Sequence, residues 1–295
     1  MGEDRMRLIA IMSKPQKPEL SGILPELAIW LKQRGYEPIL DPISASYMGE
    51  AETVPRHRMH LHRPELVIVL GGDGTLLAAA RAFARTQTPI LSVNLGSLGF
   101  LAEVPLADMY PTLASWCEKG CSEDGCTIDE RAMLHAEVRR DGLAYREFEA
   151  LNDVVITKGT IARMVNILVR MGRQTVAQFR ADGVIVSTPT GSTAYNLAAN
   201  GPILAPDIDG MILTAVCPHQ LNVRPLVIRG DAEICLSIEG VPEQTFLTVD
   251  GQEAIELRLG DELHCCRSQF TIRLVRMKGS SFFDVLRAKL KWSER

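Results

Sequence analysis

No stretch of this 295-residue chain is apolar for long enough to span a membrane. A transmembrane helix needs about 20 consecutive apolar residues. The first continuous apolar run, residues 8–12, is also shorter than the core of a signal peptide. Gly2 is compatible with N-myristoylation, but Met6 stands where that motif requires Ser or Thr. We therefore predict a cytoplasmic protein with no membrane partner.

Strong charge and paired cysteines are lacking as well. The formal net charge is only −4, which provides no basic surface for nucleic acid. The seven cysteines are odd in number. Cys117, Cys121 and Cys126 do not form pairs at zinc-site spacing, and Cys265 and Cys266 are neighbours in a predicted strand. We expect reduced thiols and no structural metal site.

Two familiar phosphate-binding signatures are absent. No G-x-G-x-x-G follows the first predicted strand, where Ser13-Lys14-Pro15 stands instead, and this argues against the dinucleotide fold of dehydrogenases. No G-x-x-x-x-G-K-[ST] occurs either, so the phosphate-binding lysine of that loop is also missing.

The most informative pattern is residues 66–77, L-V-I-V-L-G-G-D-G-T-L-L. The apolar run predicts a strand buried on both faces, and the residues after Thr75 predict a helix. A glycine loop between a strand and a helix can bring backbone N–H groups to phosphate oxygens. Asp73 would repel phosphate, so we predict that it accepts a proton from an attacking hydroxyl or holds a divalent metal. The alternative, an Asp-Gly hairpin turn, is disfavoured by the helical pattern that follows.

Strands and helices alternate in the first part of the chain. The predicted strands cover residues 7–12, 38–40, 66–70 and 89–93, and the predicted helices cover residues 19–34, 75–85 and 105–119. This order indicates an α/β domain with a parallel sheet, whose ligand crevice lies at the carboxyl ends of the strands. The loops at 71–75 and 94–101 belong to that edge. Residues 55–63, which are rich in His and Arg, are predicted to form an exposed basic loop, although a metal or phosphate role is conceivable.

From about residue 120 the pattern changes to short runs divided by turn residues. The predicted strands cover residues 133–139, 144–150, 163–170, 174–179 and 233–238. Such a succession indicates a mainly antiparallel β-sandwich. The predicted domains are therefore residues 1–119 and 120–280, with a C-terminal helix within 281–295 packing back on the first domain.

A second unusual stretch, residues 182–195, reads D-G-V-I-V-S-T-P-T-G-S-T-A-Y. It predicts a strand, a loop of small hydroxylated residues and a helix over 194–199, with Ser192 or Thr193 as the N-cap. The loop can offer amides and hydroxyls to a nucleotide, and Tyr195 can supply a flat face. A capped surface turn is the alternative.

These motifs together resemble a known family. Residues 71–75 resemble the signature of the superfamily that includes NAD kinases, diacylglycerol and sphingosine kinases and 6-phosphofructokinases. The remaining motifs occur in the order found in the NAD kinase family, of bacterial type, and the resemblance covers nearly the whole chain. They are N-D-V-V at 152–155, D-G at 182–183, T-P-T-G-S-T-A-Y at 188–195, G-P-I at 201–203, P-H at 218–219, R-P-L at 224–226 and D-G-Q at 250–252.

The resemblance implies transfer of a phosphoryl group from ATP or polyphosphate to the 2′-hydroxyl of the adenosine ribose of NAD. Asp73 corresponds to the proton acceptor. Gly71, Gly72, Gly74 and Thr75 would hold the donor phosphates, helped by Mg²⁺, which must carry more of the charge because the P-loop lysine is absent. The family also implies a homodimer or homotetramer.

The resemblance further implies a set of dinucleotide-binding residues. They are Gly74, Phe100, Asn152, Asp153, Arg163, Arg180, Asp182, Thr193, Ala194, Tyr195, Asn196, Leu197, Ala198 and Gln252. Asp153 stands where Glu is commoner, Ala181 stands where Ser is usual, and Arg180 implies a preference for oxidised NAD. His219 has either a site role or a structural one. The rival functions are a lipid or sphingoid kinase and a dinucleotide sensor without turnover.

Overall fold

The computed structural model describes residues 6–49, 52–96, 98–120, 126–159, 163–240, 244–277, 279 and 281–292. The chain divides into two compact units. The first unit comprises Met1–Glu130 with Ile272–Arg295, and the second comprises Arg131–Thr271. Residues 120–130 and 272–280 were predicted to belong to the second domain, but they belong to the first unit. One reason is that Leu274 and Val275 pair with a strand of the first unit.

The first unit begins with alternating strands and helices. In chain order they are β1 (Arg7–Ser13), α1 (Leu20–Lys32), β2 (Tyr36–Leu40), α2 (Pro42–Met48), a 3₁₀ helix (Arg56–His62), β3 (Leu66–Leu70), α3 (Asp73–Phe83), β4 (Ile90–Asn94), β5 (Val104–Pro105), a 3₁₀ helix (Leu106–Asp108) and α4 (Met109–Lys119).

The sheet of this unit is parallel, with strand order β2–β1–β3–β4. Strand β3 is central, and all five of its residues are fully buried, as its unbroken apolar run predicts. Because parallel strands end at one edge, the glycines after Leu70 and the loop after Asn94 leave the sheet side by side. The predicted α/β domain with a parallel sheet is confirmed.

Two local predictions in this unit are wrong. Helix α3 begins at Asp73 rather than Thr75, with Gly72 in extended conformation as its N-cap. Asp73 therefore lies in the first helical turn. Residues 56–62 form a 3₁₀ helix rather than a loop, and Met59 is fully buried. The predicted exposure holds for His57, Arg58 and His62. The Arg56 guanidinium is paired with Asp41 at 2.6 Å.

The second unit and the C-terminal segment complete the chain. Their elements are β6 (Thr127–Arg140), β7 (Leu143–Ala150), β8 (Asp153–Lys158), β9 (Val165–Met171), β10 (Gln174–Ala181), β11 (Gly183–Ser187), a 3₁₀ helix (Thr190–Thr193), α5 (Tyr195–Ala198), β12 (Gly210–Val216), β13 (Leu226–Arg229), β14 (Ile234–Glu239), β15 (Thr245–Val249), β16 (Glu253–Leu257), β17 (Glu262–Arg276) and α6 (Phe282–Leu290).

Two antiparallel sheets form the second unit. One has the order β13–β12–β11–β8–β15–β16, and the other contains β10–β9–β14–β17 with β6 and β7 alongside. Their inward side chains, among them Val154, Val184, Ile167 and Leu236, belong to one hydrophobic core. The predicted antiparallel sandwich is confirmed.

Helix α6 belongs to the first unit. Ser281 caps it, since its hydroxyl accepts a hydrogen bond from the Asp284 N–H. Val285 and Leu286 are buried, and the Lys289 ammonium lies 5.7 Å from the centroid of the Phe100 ring. The predicted return of the C-terminal helix is confirmed. Among the helices that the structure describes, none is long and apolar enough to cross a membrane.

Candidate active site

In the first unit, three backbone amides hold the carboxylate of Asp73. Its Oδ2 accepts from the N–H of Phe100 at 3.0 Å, and its Oδ1 accepts from Leu101 at 3.1 Å and Ala102 at 2.9 Å. All three donors lie in the loop after β4. Asp73 thus ties the first turn of α3 to the neighbouring loop at the carboxyl edge of the sheet.

With these three hydrogen bonds made, the Asp73 carboxylate has one lone pair left to accept another. A carboxylate offers about four lone pairs, and the hydrogen bonds from the described residues use two on Oδ1 and one on Oδ2. The remaining lone pair is on Oδ2, held in a fixed direction. The side chain is only half-buried, so this oxygen can meet a hydroxyl of a bound molecule.

Two glycines allow the close approach of these segments. A Cβ at Gly99 would lie 2.1 Å from Asp73 Oδ1, and a Cβ at Gly71 would lie 2.5 Å from the hydroxyl oxygen of Thr75. Of the predicted phosphate-binding residues, Gly74 is exposed and Gly72 half-buried, whereas Gly71 and Thr75 are buried. Thr75 therefore packs inside the turn, and the exposed rim of the turn is formed by Gly72 and Gly74.

A divalent metal fits this turn only when it enters already bound to a ligand such as a phosphate group. Within the described residues, no group of three His, Cys, Asp or Glu side chains converges near Asp73. Mg²⁺ is commonly bound by substrate phosphates and waters with one or two carboxylates, rather than by an all-protein cage. The turn is thus suited to a metal–phosphate complex.

In the second unit, Asp250 organises the turn before β8. Its Oδ2 accepts from the N–H of Leu151 at 3.0 Å, and its Oδ1 accepts from Asn152 at 2.7 Å and Asp153 at 3.1 Å. The sequence analysis assigned no role to Asp250, although it noted the D-G-Q motif that contains it. Asp250 lies about 100 positions after the 151–153 turn, and no local pattern in the sequence shows that the two are in contact.

The two predicted dinucleotide residues of this turn are buried. Burial, with a smaller effect of the nearby Asp250 carboxylate, raises the pKa of Asp153 to about 7. The side-chain oxygen of Asn152 is buried and accepts no hydrogen bond from the described residues. A buried acceptor of this kind costs about 1–3 kcal/mol until a donor reaches it.

The hydroxylated loop 188–193 folds back on the same turn. The Thr188 hydroxyl donates to the carbonyl of Leu151 at 2.6 Å and accepts from the N–H of Gly191 at 2.9 Å. A Cβ at Gly191 would lie 2.0 Å from the carbonyl oxygen of Asn152, so this contact requires glycine. The buried Arg131, which sequence reasoning missed, donates to Thr190 at 3.2 Å.

The predicted N-cap of the following helix is wrong. Ala194 occupies the cap position of α5, without a side-chain cap. The Ser192 hydroxyl instead donates to the carbonyl of Pro189 at 2.6 Å, and the Thr193 hydroxyl donates to that of Thr190. Both hydroxyls therefore stabilise the preceding 3₁₀ turn, which sequence periodicity does not reveal.

Asn196 is also committed internally. Its amide donates to the carbonyls of Ser192 at 3.1 Å and Pro202 at 3.0 Å, and its oxygen accepts from the Thr214 hydroxyl at 2.7 Å. It is fully buried. The Asn196 side chain thus stabilises the loop through internal hydrogen bonds.

The remaining predicted dinucleotide residues of this unit are accessible. Those exposed to solvent are Arg163, Arg180, Tyr195, Ala198 and Gln252, and those half-buried are Asp182, Thr193, Ala194 and Leu197. The Asp182 carboxylate lies 2.9 Å from the Lys158 ammonium, a partner that the sequence analysis did not identify. His219 donates its backbone N–H to the carbonyl of Arg180 at 2.8 Å.

Comparisons with known proteins match this arrangement to one family. The model of the ATP-NAD kinase N-terminal domain matches residues 9–120, and that of the ATP-NAD kinase C-terminal domain matches residues 151–277. The NAD kinase of Acidobacterium capsulatum is 61% identical over 98% of this chain and 100% of its own length. The chain belongs to the NAD kinase family. The NAD kinase of Koribacter versatilis is 50% identical with the same coverage.

Solved structures of NAD(H) kinases share the fold. Yeast NADH kinase complexed with NADH has a TM-score of 0.88 at 24% identity, covering 99% of this chain and 90% of its own. An NAD kinase from Archaeoglobus fulgidus in complex with ATP has a TM-score of 0.75 at 22% identity, covering 96% and 98%. The resemblance to NAD kinases drawn from the sequence motifs is confirmed, and the chain is a phosphotransferase of this family.

Proposed function

We propose that this NAD kinase transfers the terminal phosphoryl group of ATP to the 2′-hydroxyl of the adenosine ribose of NAD, giving NADP and ADP. The bond from the 2′-oxygen to the γ-phosphorus forms as the bond from that phosphorus to the β,γ-bridging oxygen breaks. The hydroxyl proton passes to a carboxylate. Such a reaction depends mainly on positioning and on neutralising charge.

The observation that carries this proposal is the anchored carboxylate of Asp73. Three backbone N–H groups fix its orientation, and one Oδ2 lone pair stays available in the described structure. A base held in this way accepts the proton without reorganising at the moment of transfer. General base catalysis of this kind is typically worth about 10²–10⁴ in rate.

We assign the donor phosphates to the turn at the N-terminus of α3. The exposed Gly74 and half-buried Gly72 have no Cβ to hinder a phosphate, and the dipole of the 11-residue helix favours negative charge there. Mg²⁺ bound to the donor phosphates would neutralise charge, in place of the lysine that this turn lacks. Polyphosphate presents the same chemistry as ATP to this turn.

We assign the dinucleotide to the second unit. The unpaired oxygen of Asn152 is an acceptor for a ligand N–H or O–H group. Asp153, whose pKa is raised to about 7, can donate or accept a hydrogen bond near neutral pH. The exposed ring of Tyr195 and guanidinium of Arg180 offer a flat face and a cation. A homodimer or homotetramer stays a prediction.

The direct test is product formation. The purified chain is incubated with NAD, ATP and Mg²⁺, and NADP is measured with a dehydrogenase that accepts only NADP. Parallel reactions replace ATP by polyphosphate or NAD by a sphingoid base. NADP formation with ATP supports the proposal, whereas phosphorylation of the lipid alone, or NAD binding without turnover, would overturn it.

A further inference from the structure

A cysteine, a histidine and a glutamate meet on the outer face of the second unit. Strands β14 and β17 are antiparallel neighbours, and Cys235 pairs directly with His264, so both side chains project on the same face. Glu262, two residues before His264, shares that face. The alternate residues of β14, among them Ile234 and Leu236, are buried in the core. The three side chains therefore point away from the core.

The spacing of these side chains matches a metal centre. One ligand atom from each residue lies within 4.8 Å of the other two. The Cys235 sulfur is 3.8 Å from His264 Nε2, which is 3.3 Å from Glu262 Oε2. Tetrahedral zinc, with bonds of about 2.3 Å to sulfur and about 2.0–2.1 Å to nitrogen and oxygen, places S and N about 3.5 Å apart and N and O about 3.3 Å apart. These two separations agree with the ideal values to within about 0.3 Å. The Cys235 sulfur lies within 4.8 Å of a Glu262 carboxylate oxygen, a distance that must shorten when a metal binds.

The surroundings complete such a centre. Arg170 donates to Glu262 Oε1 at 3.1 Å, which leaves Oε2 on the histidine side. Carboxylates that ligate metals are commonly oriented by a hydrogen bond of this kind. Cys235 and His264 also line a cavity of about 380 Å³. The cavity is also lined by the titratable residues His135, Glu137, Arg139, Glu233, Cys265 and Cys266.

The donor set selects among metals. A thiolate and an imidazole suit Zn²⁺, whereas Mg²⁺ and Ca²⁺ prefer oxygen ligands alone. Burial raises the pKa of the Cys235 thiol above its usual value of 9.0, so a bound metal must displace the thiol proton to solvent. The simpler arrangement is a hydrogen-bonded cluster, in which Cys235 Sγ and Glu262 Oε2 both contact His264 Nε2.

We propose that Cys235, Glu262 and His264 bind a zinc ion through Sγ, Oε2 and Nε2, with water from the adjoining cavity as the fourth ligand. The ion ties β14 to β17 on the outer face of their sheet. None of these three residues belongs to the Asp73 turn or to the 151–153 turn, and the proposal does not depend on the proposed reaction.

The test uses the full chain freed of metal with a chelator and then titrated with Co²⁺ or Zn²⁺ alone. Tetrahedral Co²⁺ bound to a thiolate gives a sulfur-to-metal charge-transfer band in the near ultraviolet. We expect this band with one Co²⁺ per chain, displaced by Zn²⁺, and an increase of the melting temperature with Zn²⁺. Cys235→Ser should abolish the band, and His264→Gln should weaken Zn²⁺ binding by at least about tenfold.

Cys217→Ser is the matched control, because Cys217 is exposed and lies outside this cavity; it should bind as the wild type does. Absence of a charge-transfer band in the wild type would overturn the proposal without recourse to any variant. An unchanged band in folded Cys235→Ser would equally overturn it, because the thiolate would then come from another cysteine.

Discussion

Asp73→Asn separates the proton-accepting role of this carboxylate from its role as an anchor. The asparagine oxygen can replace Oδ1 as acceptor for Leu101 and Ala102, but its NH₂ group then faces the Phe100 N–H. Hydrogen bonds to charged groups contribute about 1.5–3 kcal/mol and neutral ones about 0.5–1.5 kcal/mol. One lost bond and two weakened ones therefore predict a loss of about 3.5–6 kcal/mol in unfolding free energy.

The kcat of Asp73→Asn should fall by more than the loss of stability explains. Removal of a general base lowers kcat by about 10²–10⁴, whereas destabilisation alone leaves kcat unchanged as long as the protein stays folded at the assay temperature. The assay combines urea unfolding, NAD binding by calorimetry and NADP formation at saturating substrates. We expect folded Asp73→Asn to bind NAD with wild-type affinity and to lose at least about 99% of kcat.

Asp250→Asn is the matched control, because Asp250 also accepts hydrogen bonds from three consecutive backbone N–H groups. It should lose similar stability but show its main effect in NAD binding, since those groups belong to the 151–153 turn. If Asp73→Asn retained kcat within about threefold of wild type, or if the two variants lost kcat equally, Asp73 would be an anchor and not the base.

Three further changes are predicted. Asp153→Asn should become progressively more stable than wild type as pH rises from about 4 to about 7. The reason is that the raised pKa of Asp153 keeps its proton in the folded state, whereas the unfolded state releases that proton. Urea unfolding at several pH values in this range measures the difference in stability. Gly191→Ala should lower the unfolding free energy by about 1–3 kcal/mol or more, because its Cβ would collide with the Asn152 carbonyl; thermal and urea unfolding measure it. Arg180→Gln should raise the use of NADH relative to NAD severalfold, as expected for an exposed charge worth about 1 kcal/mol; the ratio of kcat/KM values measures it.

The first two changes each have a matched control variant. Asp207→Asn, at an exposed position, should leave the pH profile of stability unchanged, and parallel profiles of Asp153→Asn and wild type would refute the first prediction. Gly22→Ala, where a Cβ meets nothing within 4 Å, should not destabilise the chain. An undiminished stability of Gly191→Ala would contradict the second prediction. Equal use of NADH and NAD by the wild-type chain would count against the third.

The elements and the family could be predicted from local pattern. Residues 66–70 form a buried strand because five apolar, mainly β-branched residues satisfy a parallel sheet on both faces. The glycines that follow and the alternation of strands with helices indicate where the ligand edge lies. Period two in residues 233–238 likewise corresponds to β14, whose buried and half-buried residues alternate.

Bounds and caps were less predictable because short-range hydrogen bonds decide them. Ser192 and Thr193 are good N-cap residues by type, yet both hydroxyls donate to carbonyls of the turn that precedes them. The segment around Arg56 reads as a solvated loop, and its basic residues are indeed largely exposed, but it forms a 3₁₀ helix with Met59 buried. The sequence contains no periodicity long enough to show either outcome.

The sequence alone therefore determined which residue types stand at the ends of which strands, because those follow from local apolar patterning and glycine placement. Only the tertiary structure decided what those residues touch. Asp73 receives its N–H donors from a loop 27–29 residues away, and Asp250 anchors a turn 97–99 residues earlier. Cys235 meets His264 only because strand register aligns them. The packing of whole sheets decides that these two strands are neighbours, and their register then follows from the hydrophobic pattern of both strands together.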